Sequence, residues 1–281
     1  MSKTLLIIDP QVDFCEGGAL AVPGGADAMQ RVADFIRGMG DELDNIIVTL
    51  DSHHPLHIAH GMWFKDEAGN NPPPFTTMVE DGGEIVGGLL DSSGQFHADK
   101  KYHCARLGFT EWTVNYLRKL REGGRYPHMI WPPHCLIGSV GATIVPCVFD
   151  ALVEWEREYF AVVSMVTKGS DIQTEHFGAV RAEVANPRNP ETQVNSRFVE
   201  MLEDPKTTIY GAGLALSHCL ANTARDAAAE FDGDTFCERF VLLSDCTASV
   251  QGLEFLGETF VADFVARGMK VRSTSDFLSA V

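Results

Sequence analysis

The chain of 281 residues carries 39 acidic against 22 basic side chains, a formal net charge of −17, with 45% hydrophobic and 22% charged residues. This is the make-up of a soluble globular protein with an ample core, and its negative charge argues against nucleic acid or an anionic membrane as partner. No apolar run approaches the roughly 20 residues of a membrane span, the N-terminal run in MSKTLLIIDPQ stops too soon at Asp9 for a signal peptide, and seven cysteines at scattered spacing read as the reduced thiols of a cytoplasmic protein.

Strand-like apolar runs then alternate with helical patterns along the chain. Thr4–Asp9 reads as a strand, 25–39 as a helix, Asn45–Asp51 as a second strand and His128–Trp131 as a short third. A helix over Val145–Glu158 leads to a fourth strand, Ala161–Thr167, and a helix over Asn195–Leu202 to a fifth at Thr208. Phe240–Leu243 is a sixth, followed by a helix over 256–267 and an edge strand at Val271–Ser273. Repeated strand–helix units predict one α/β domain over 1–281, a three-layer α/β/α sandwich with a six-stranded parallel sheet and right-handed crossovers. The segment from about 64 to 127, rich in Gly, Pro and Asp, reads as an insertion with one helix, Thr110–Glu122. It is expected to act as a lid, its glycine pairs at 82–83, 87–88 and 123–124 serving as hinges, or as an oligomer contact.

The most telling stretch is Thr207–Phe231, TTIYGAGLALSHCLANTARDAAAEF. Small and β-branched residues up to Leu214 suit a buried strand, and the spacing after Leu220 suits a helix. Cys219 lies between them, two residues after an expected N-cap, Ser217. A thiol at a helix start meets unpaired N–H groups and the positive end of the dipole, which favour the thiolate. Alone, such a cysteine is as readily a buried structural residue.

In parallel sheets ligands bind beyond the carboxyl ends of the strands. Those ends carry Asp9, Asp51 and His53, His134, Lys168 and Cys219. Asp9, Lys168 and Cys219 make a nucleophile with a base and a positive partner, with Lys168 expected to favour the thiolate. Asp51, His53 and His134 offer a carboxylate and two imidazoles, a set that suits zinc or iron with positions left open. His54, His57 and His60 crowd the same stretch, DSHHPLHIAH, with His57 as first reserve.

With these residues in place the chain resembles the nicotinamidase branch of the isochorismatase-like cysteine hydrolases. The matching pieces are LLIIDPQVDFCEGGALAVPGG (5–25), VTLDSHHPLHI (48–58), WPPHC (131–135), VTKGSD (166–171) and GLALSHC (213–219). The resemblance implies the fold of that superfamily, catalysis by Asp9, Lys168 and Cys219, and one divalent metal, zinc first with iron or manganese as alternatives, on Asp51, His53 and His134. It also implies a cis peptide between Leu214 and Ala215 that turns the Ala215 N–H toward an oxyanion beside that of Cys219. The expected activity is hydrolysis of a small carboxamide, nicotinamide to nicotinic acid and ammonia as first choice, through a thioester. Phe14 would stack on the substrate ring and the ring nitrogen would meet the metal. The expected partners are this small amide and further copies of the chain. Two departures bear on substrate identity: the length of the segment between His57 and Trp131, and EHFGAV (175–180) where the family has Asp-Ser-Tyr-Ser-Ala-Phe. The alternatives are another amide or carbamoyl hydrolase of the superfamily with a bulkier substrate, and a non-catalytic binding or redox-sensing relative.

Overall fold

The computed structural model describes residues 2–91 and 94–278. In chain order its elements are β1 (Lys3–Ile8), α1 (Gly25–Met39), β2 (Asn45–Asp51), β3 (Phe64–Lys65), β4 (Thr77–Asp81), β5 (Glu84–Leu90), β6 (Phe96–Cys104), α2 (Thr110–Gly123) and β7 (His128–Met129). There follow α3 (Pro146–Tyr159), β8 (Ser164–Lys168), α4 (Ser196–Glu200), β9 (Thr208–Leu214), α5 (Ala221–Glu230), α6 (Gly233–Arg239), β10 (Phe240–Ala248), α7 (Glu254–Ala266) and β11 (Lys270–Arg272).

Six strands form one parallel sheet in the order β11-β10-β9-β1-β2-β8. Its strands are buried on both faces, so successive residues of β1 serve two different cores. Leu5 and Ile7 pack with α1 and α3 on one side, while Leu6 and Ile8 pack with α4, α5, α6 and α7 on the other. The three-layer architecture matches the expectation, but the membership of the sheet differs in one place. His128–Trp131 shortens to the two-residue β7 and pairs antiparallel with β4, and the sixth place in the sheet is taken by β11.

The larger difference lies between the two stretches that carry His53 and His134. Among the described residues, β3, β6, β5, β4 and β7 form a five-stranded antiparallel sheet in that order. Tyr116, Leu117 and Leu120 of α2 share a core with Met78, Ile85 and Tyr102 of this sheet. Gly82 and Gly83, read as a hinge, are the turn of the β4–β5 hairpin, with Asp81 paired to Glu84. Both have positive φ, 57° and 90°, which a two-residue turn matching the right-handed twist of its strands requires. The second pair, Gly87–Gly88, sits inside β5. Residues 92 and 93 of this segment lie outside the described residues.

Gly213 fixes how closely β9 and β1 approach at the end of the sheet that leads to Cys219. Its φ is +114°, and a Cβ placed there would stand 2.0 Å from the carbonyl oxygen of Ile8. A side chain would both strain the backbone and force the two central strands apart. Gly213→Ala is therefore expected to destabilise the protein by about 2–5 kcal/mol, the sum expected of backbone strain and overpacking. The measurement is the midpoint of chemical denaturation; a midpoint equal to wild type would show that this approach is not fixed.

Candidate active site

The strand ends bring the expected residues together. Asp9 follows β1 in a left-handed backbone conformation, φ 46°. Its N–H bonds to Thr49 of β2, and the Thr49 hydroxyl donates to Asp9 Oδ1 at 2.6 Å. The Gln11 side chain accepts from the Asp51 N–H at 2.7 Å and donates to the Asp51 carbonyl at 2.8 Å, clamping the ends of β1 and β2. Lys168 ends β8 in register with Asp51. Its ammonium lies 2.6 Å from Asp51 Oδ1, 2.9 Å from Asp9 Oδ2 and 3.7 Å from Cys219 Sγ, and donates to the His176 carbonyl at 3.1 Å. One buried cation thus touches both carboxylates and the thiol.

Cys219 is reached differently from the expected strand–cap–helix. The Leu214–Ala215 peptide is cis, as the resemblance implies. A π-helical turn, Leu216–Leu220, follows and carries the cysteine before α5 begins at Ala221. Ser217 is not an N-cap. Its hydroxyl oxygen accepts from the Val250 N–H at 3.1 Å and pairs with His218 Nδ1 at 2.9 Å. Leu214 turns into the core beneath α1, so of the expected pair only Ala215 lines the pocket.

The charge state of the thiol also departs from the expectation. Cys219 is 7% exposed. Burial pushes its thiol well above the usual range, and Lys168 opposes this without reversing it, since Asp9 and Asp51 stand nearby. Burial likewise raises Asp9 against the pull of Lys168. For Lys168 burial opposes the charge, but Asp51 and Asp9 outweigh it and hold the ammonium. Asp51 is held well below the carboxylate range, because Lys168 and His53 overcome its burial. The resting site is therefore a thiol beside a proton-seeking Asp9, with Asp51 fully ionised.

Asp51 Oδ2 lies 3.5 Å from His53 Nε2 and 3.8 Å from His134 Nε2, and one ligand atom from each residue falls within 4.8 Å of the others. His53 Nδ1 bonds to the Gly169 carbonyl at 3.0 Å and His134 Nδ1 to the Pro132 carbonyl at 2.9 Å. A carbonyl only accepts, so each Nδ1 carries a proton, and each Nε2 faces the Asp51 carboxylate, the side from which a metal would take it as a ligand. This donor set fits a divalent metal such as zinc, iron or manganese. His57, the first reserve, is turned the wrong way: its Nδ1 accepts from the Ala59 N–H, which leaves the proton on Nε2. His60 is better placed, since its Nδ1 donates to the Pro55 carbonyl and its buried Nε2 has no partner. His54 is exposed.

Above Cys219 lies a small pocket of about 30 Å³. Phe14, Trp131, Phe177 and His218 give it aromatic walls, and Asp51, His53 and His134 form one end. Phe14 meets His134 edge-on, with ring centres 5.5 Å apart. Sequence reasoning assigned no role to Trp131, Glu175, Phe177 or His218. The signal for Glu175 and Phe177 was present in EHFGAV, where the chain leaves the pattern it otherwise resembles. The Glu175 carboxyl is pushed up to about 7 by burial, and its Oε1 has no hydrogen-bond partner. None of the described residues from 64 to 127 lines this pocket. The segment braces it from behind: Tyr126 stacks on His218 at 5.1 Å, and Trp112 of α2 donates to the Gln173 carbonyl at 2.7 Å.

No family model matches the chain. The nicotinamidase of Saccharomyces cerevisiae is 25% identical over 227 residues, covering 80% of this chain and 81% of that protein. The nicotinamidase of Escherichia coli is 24% identical over 229 residues, 80% of this chain and 76% of its own. In fold, the chain is similar to the yeast nicotinamidase Pnc1p bound to the inhibitor nicotinaldehyde, with TM-score 0.61 at 18% identity over 96% of this chain and 99% of that one. It is also similar to the pyrazinamidase of Pyrococcus horikoshii in complex with zinc, with TM-score 0.54 at 18% identity over 97% and 99% of the two chains.

Two outcomes follow from this geometry. Lys168→Met leaves Asp9 and Asp51 buried without their cation and is expected to cost about 3–5 kcal/mol of stability, read by chemical denaturation. Purified protein should carry close to one zinc, iron or manganese per chain by elemental analysis, and His53→Ala and His134→Ala should each empty the site. Full occupancy in both variants would remove Asp51, His53 and His134 as the holding set.

Proposed function

Because the chain belongs to the nicotinamidase/isochorismatase-like hydrolase family, we propose that it is a metal-assisted cysteine amidohydrolase that converts a small carboxamide, nicotinamide first, to the acid and ammonia. The observation that carries this reading is the Lys168 ammonium in contact with Asp9 and with Cys219, whose thiol lines an aromatic pocket. A flat ring suits walls made of Phe14, Trp131 and Phe177. Asp51, His53 and His134 would hold a divalent metal, which supplies Lewis acidity beside the thiol.

The remaining chemistry belongs to this chain's own groups. The resting thiol gives its proton to Asp9 as sulfur attacks the carboxamide carbon, so charge builds on the carbonyl oxygen rather than on an isolated thiolate. Backbone N–H groups of Ala215 and Cys219 meet that oxygen. Asp9 returns the proton to the nitrogen, the C–N bond breaks, and ammonia leaves a thioester on Cys219. A water molecule, deprotonated by Asp9, attacks the thioester carbon; the acid departs and the proton returns to sulfur. Lys168 keeps its charge throughout and prevents either carboxylate from facing the other unscreened.

Ammonia release across a panel of amides tests the reading, with nicotinamide expected to be turned over. Cys219→Ala and Asp9→Asn should each lower kcat by at least about a thousandfold while leaving the fold intact, as loss of a nucleophile or its base does. Turnover of no amide by metal-loaded protein, or full activity in Cys219→Ala, would overturn it. The pH profile supplies an independent check. Asp9 must be unprotonated to act as base, and its pKa is raised from the ordinary 3.8. The acid limb of kcat/KM should therefore lie above the usual carboxylate range, with activity lost as pH falls through it. A limb at the ordinary carboxylate value would exclude Asp9 as the base.

A further inference from the structure

We propose that a second cavity, between the antiparallel sheet and α7, is a separate binding site for a neutral, apolar small molecule. The cavity holds about 410 Å³, a size within the range of small-molecule sites. Its walls come from four directions: Val79 from β4, Leu117 and Leu120 from α2, Tyr126 from the connection after α2, and Leu253 and Leu256 at the start of α7. Phe255 stands at its mouth, 55% exposed. A concavity closed on several sides accepts a molecule into its depth, which the flat face of a protein partner does not supply.

The polar groups around it define what the ligand is. Arg121 is paired with Glu80 at 3.0 Å, and Arg125 with Asp226 at 2.7 Å and Glu183 at 3.4 Å. His128 uses both ring nitrogens, on the Tyr116 hydroxyl at 3.3 Å and the Ile58 carbonyl at 2.9 Å. A charged ligand would find these groups already committed and would lose its hydration without return. A neutral apolar one removes its own surface and that of the leucines from water.

The site also has a defined relation to Cys219. Its inner wall is Trp131, Phe177 and His218, the same three side chains that line the pocket above the thiol. His218 is held by Tyr126 stacked on it, and Tyr126 donates its hydroxyl to the Ser217 carbonyl at 2.9 Å. The two cavities thus share these three side chains. This places a ligand within one residue of the nucleophile without entering the substrate pocket.

The test is a fluorescence titration with N-phenyl-1-naphthylamine, a neutral apolar probe, on the whole protein. One probe per chain should bind saturably. Leu256→Trp and Val79→Trp fill the cavity from opposite walls, and each should weaken binding at least tenfold with the melting temperature unchanged. Nicotinamide added to Cys219→Ala should not displace the probe. Non-saturable binding, affinity unchanged in both filled variants, or displacement by nicotinamide would each overturn the proposal. Binding is read without turnover, so its failure is distinct from a failure of the amidase reading.

Discussion

A single buried ammonium sets the terms for this site. Lys168 is 5% exposed and lies between two carboxylates that are themselves out of water, Asp9 at 0% and Asp51 at 4%. Without it neither charge is tenable, since an unpaired buried carboxylate costs several kcal/mol. Its effect on the two is nevertheless unequal. Asp51 receives Lys168 at 2.6 Å together with His53 and His134, and stays ionised. Asp9 shares the same ammonium at 2.9 Å and accepts from the Thr49 hydroxyl, but burial prevails. Environments that push two neighbouring carboxyls in opposite directions suit them to different work: a permanent anion suited to a cation on one side, a carboxyl that holds its proton more tightly on the other.

This arrangement depends on the sheet. β2 and β8 end level at Asp51 and Lys168, β1 ends two residues earlier beside Thr49, and β9 reaches the same rim from the other side of β1. Parallel register means that residues distant in sequence arrive together at one end, and the Gln11 clamp prevents the ends of β1 and β2 from fraying apart. The two histidines of the metal-fitting set are tied to each other in the same manner. The His53 N–H bonds to the Cys135 carbonyl at 3.0 Å and the Ile137 N–H to the His53 carbonyl at 3.0 Å, so the loop bearing His134 is laid beside the end of β2 by backbone bonds alone.

The rim was legible in the sequence because it depends on local signals: an apolar run fixes a strand, and the polar residue that ends it marks the rim. Asp9, Asp51, His53 and Lys168 carry that signature, while His134 follows a strand that joins the other sheet and Cys219 sits on a turn beyond β9, and the structure draws all six together. What could not be read this way depends on contacts between segments. The charged face of β6 hides its strand character, since FHADKKYHC shows no clean alternation until Tyr102 and Cys104 are seen to be buried. The hairpin between β4 and β5 did carry a signal, two glycines between strand-like runs, which a hinge reading misplaced. The protonation of Cys219 follows from burial by groups far apart in sequence, among them Trp131 and Phe177. A helix dipole, the local signal, was outweighed. The tautomers of His57 and His60 likewise rest on single backbone bonds that residue spacing does not reveal.

The antiparallel sheet changes how substrate choice is to be understood. A lid closes over a pocket and contacts the ligand, but none of the described residues of this segment lines the pocket above Cys219. It leaves the chain soon after His53 and returns just before Trp131 and His134, and its own core, Trp63, Phe64, Tyr116 and Leu117, is fully buried. Tyr126, at its end, presses on His218 from the side away from the thiol. The aromatic wall is therefore sandwiched between substrate pocket and inserted sheet, and its position is set by packing behind it. Close-packed interiors transmit such displacements rather than absorb them. In this arrangement the described residues of the inserted sheet bear on the pocket through the rings they support.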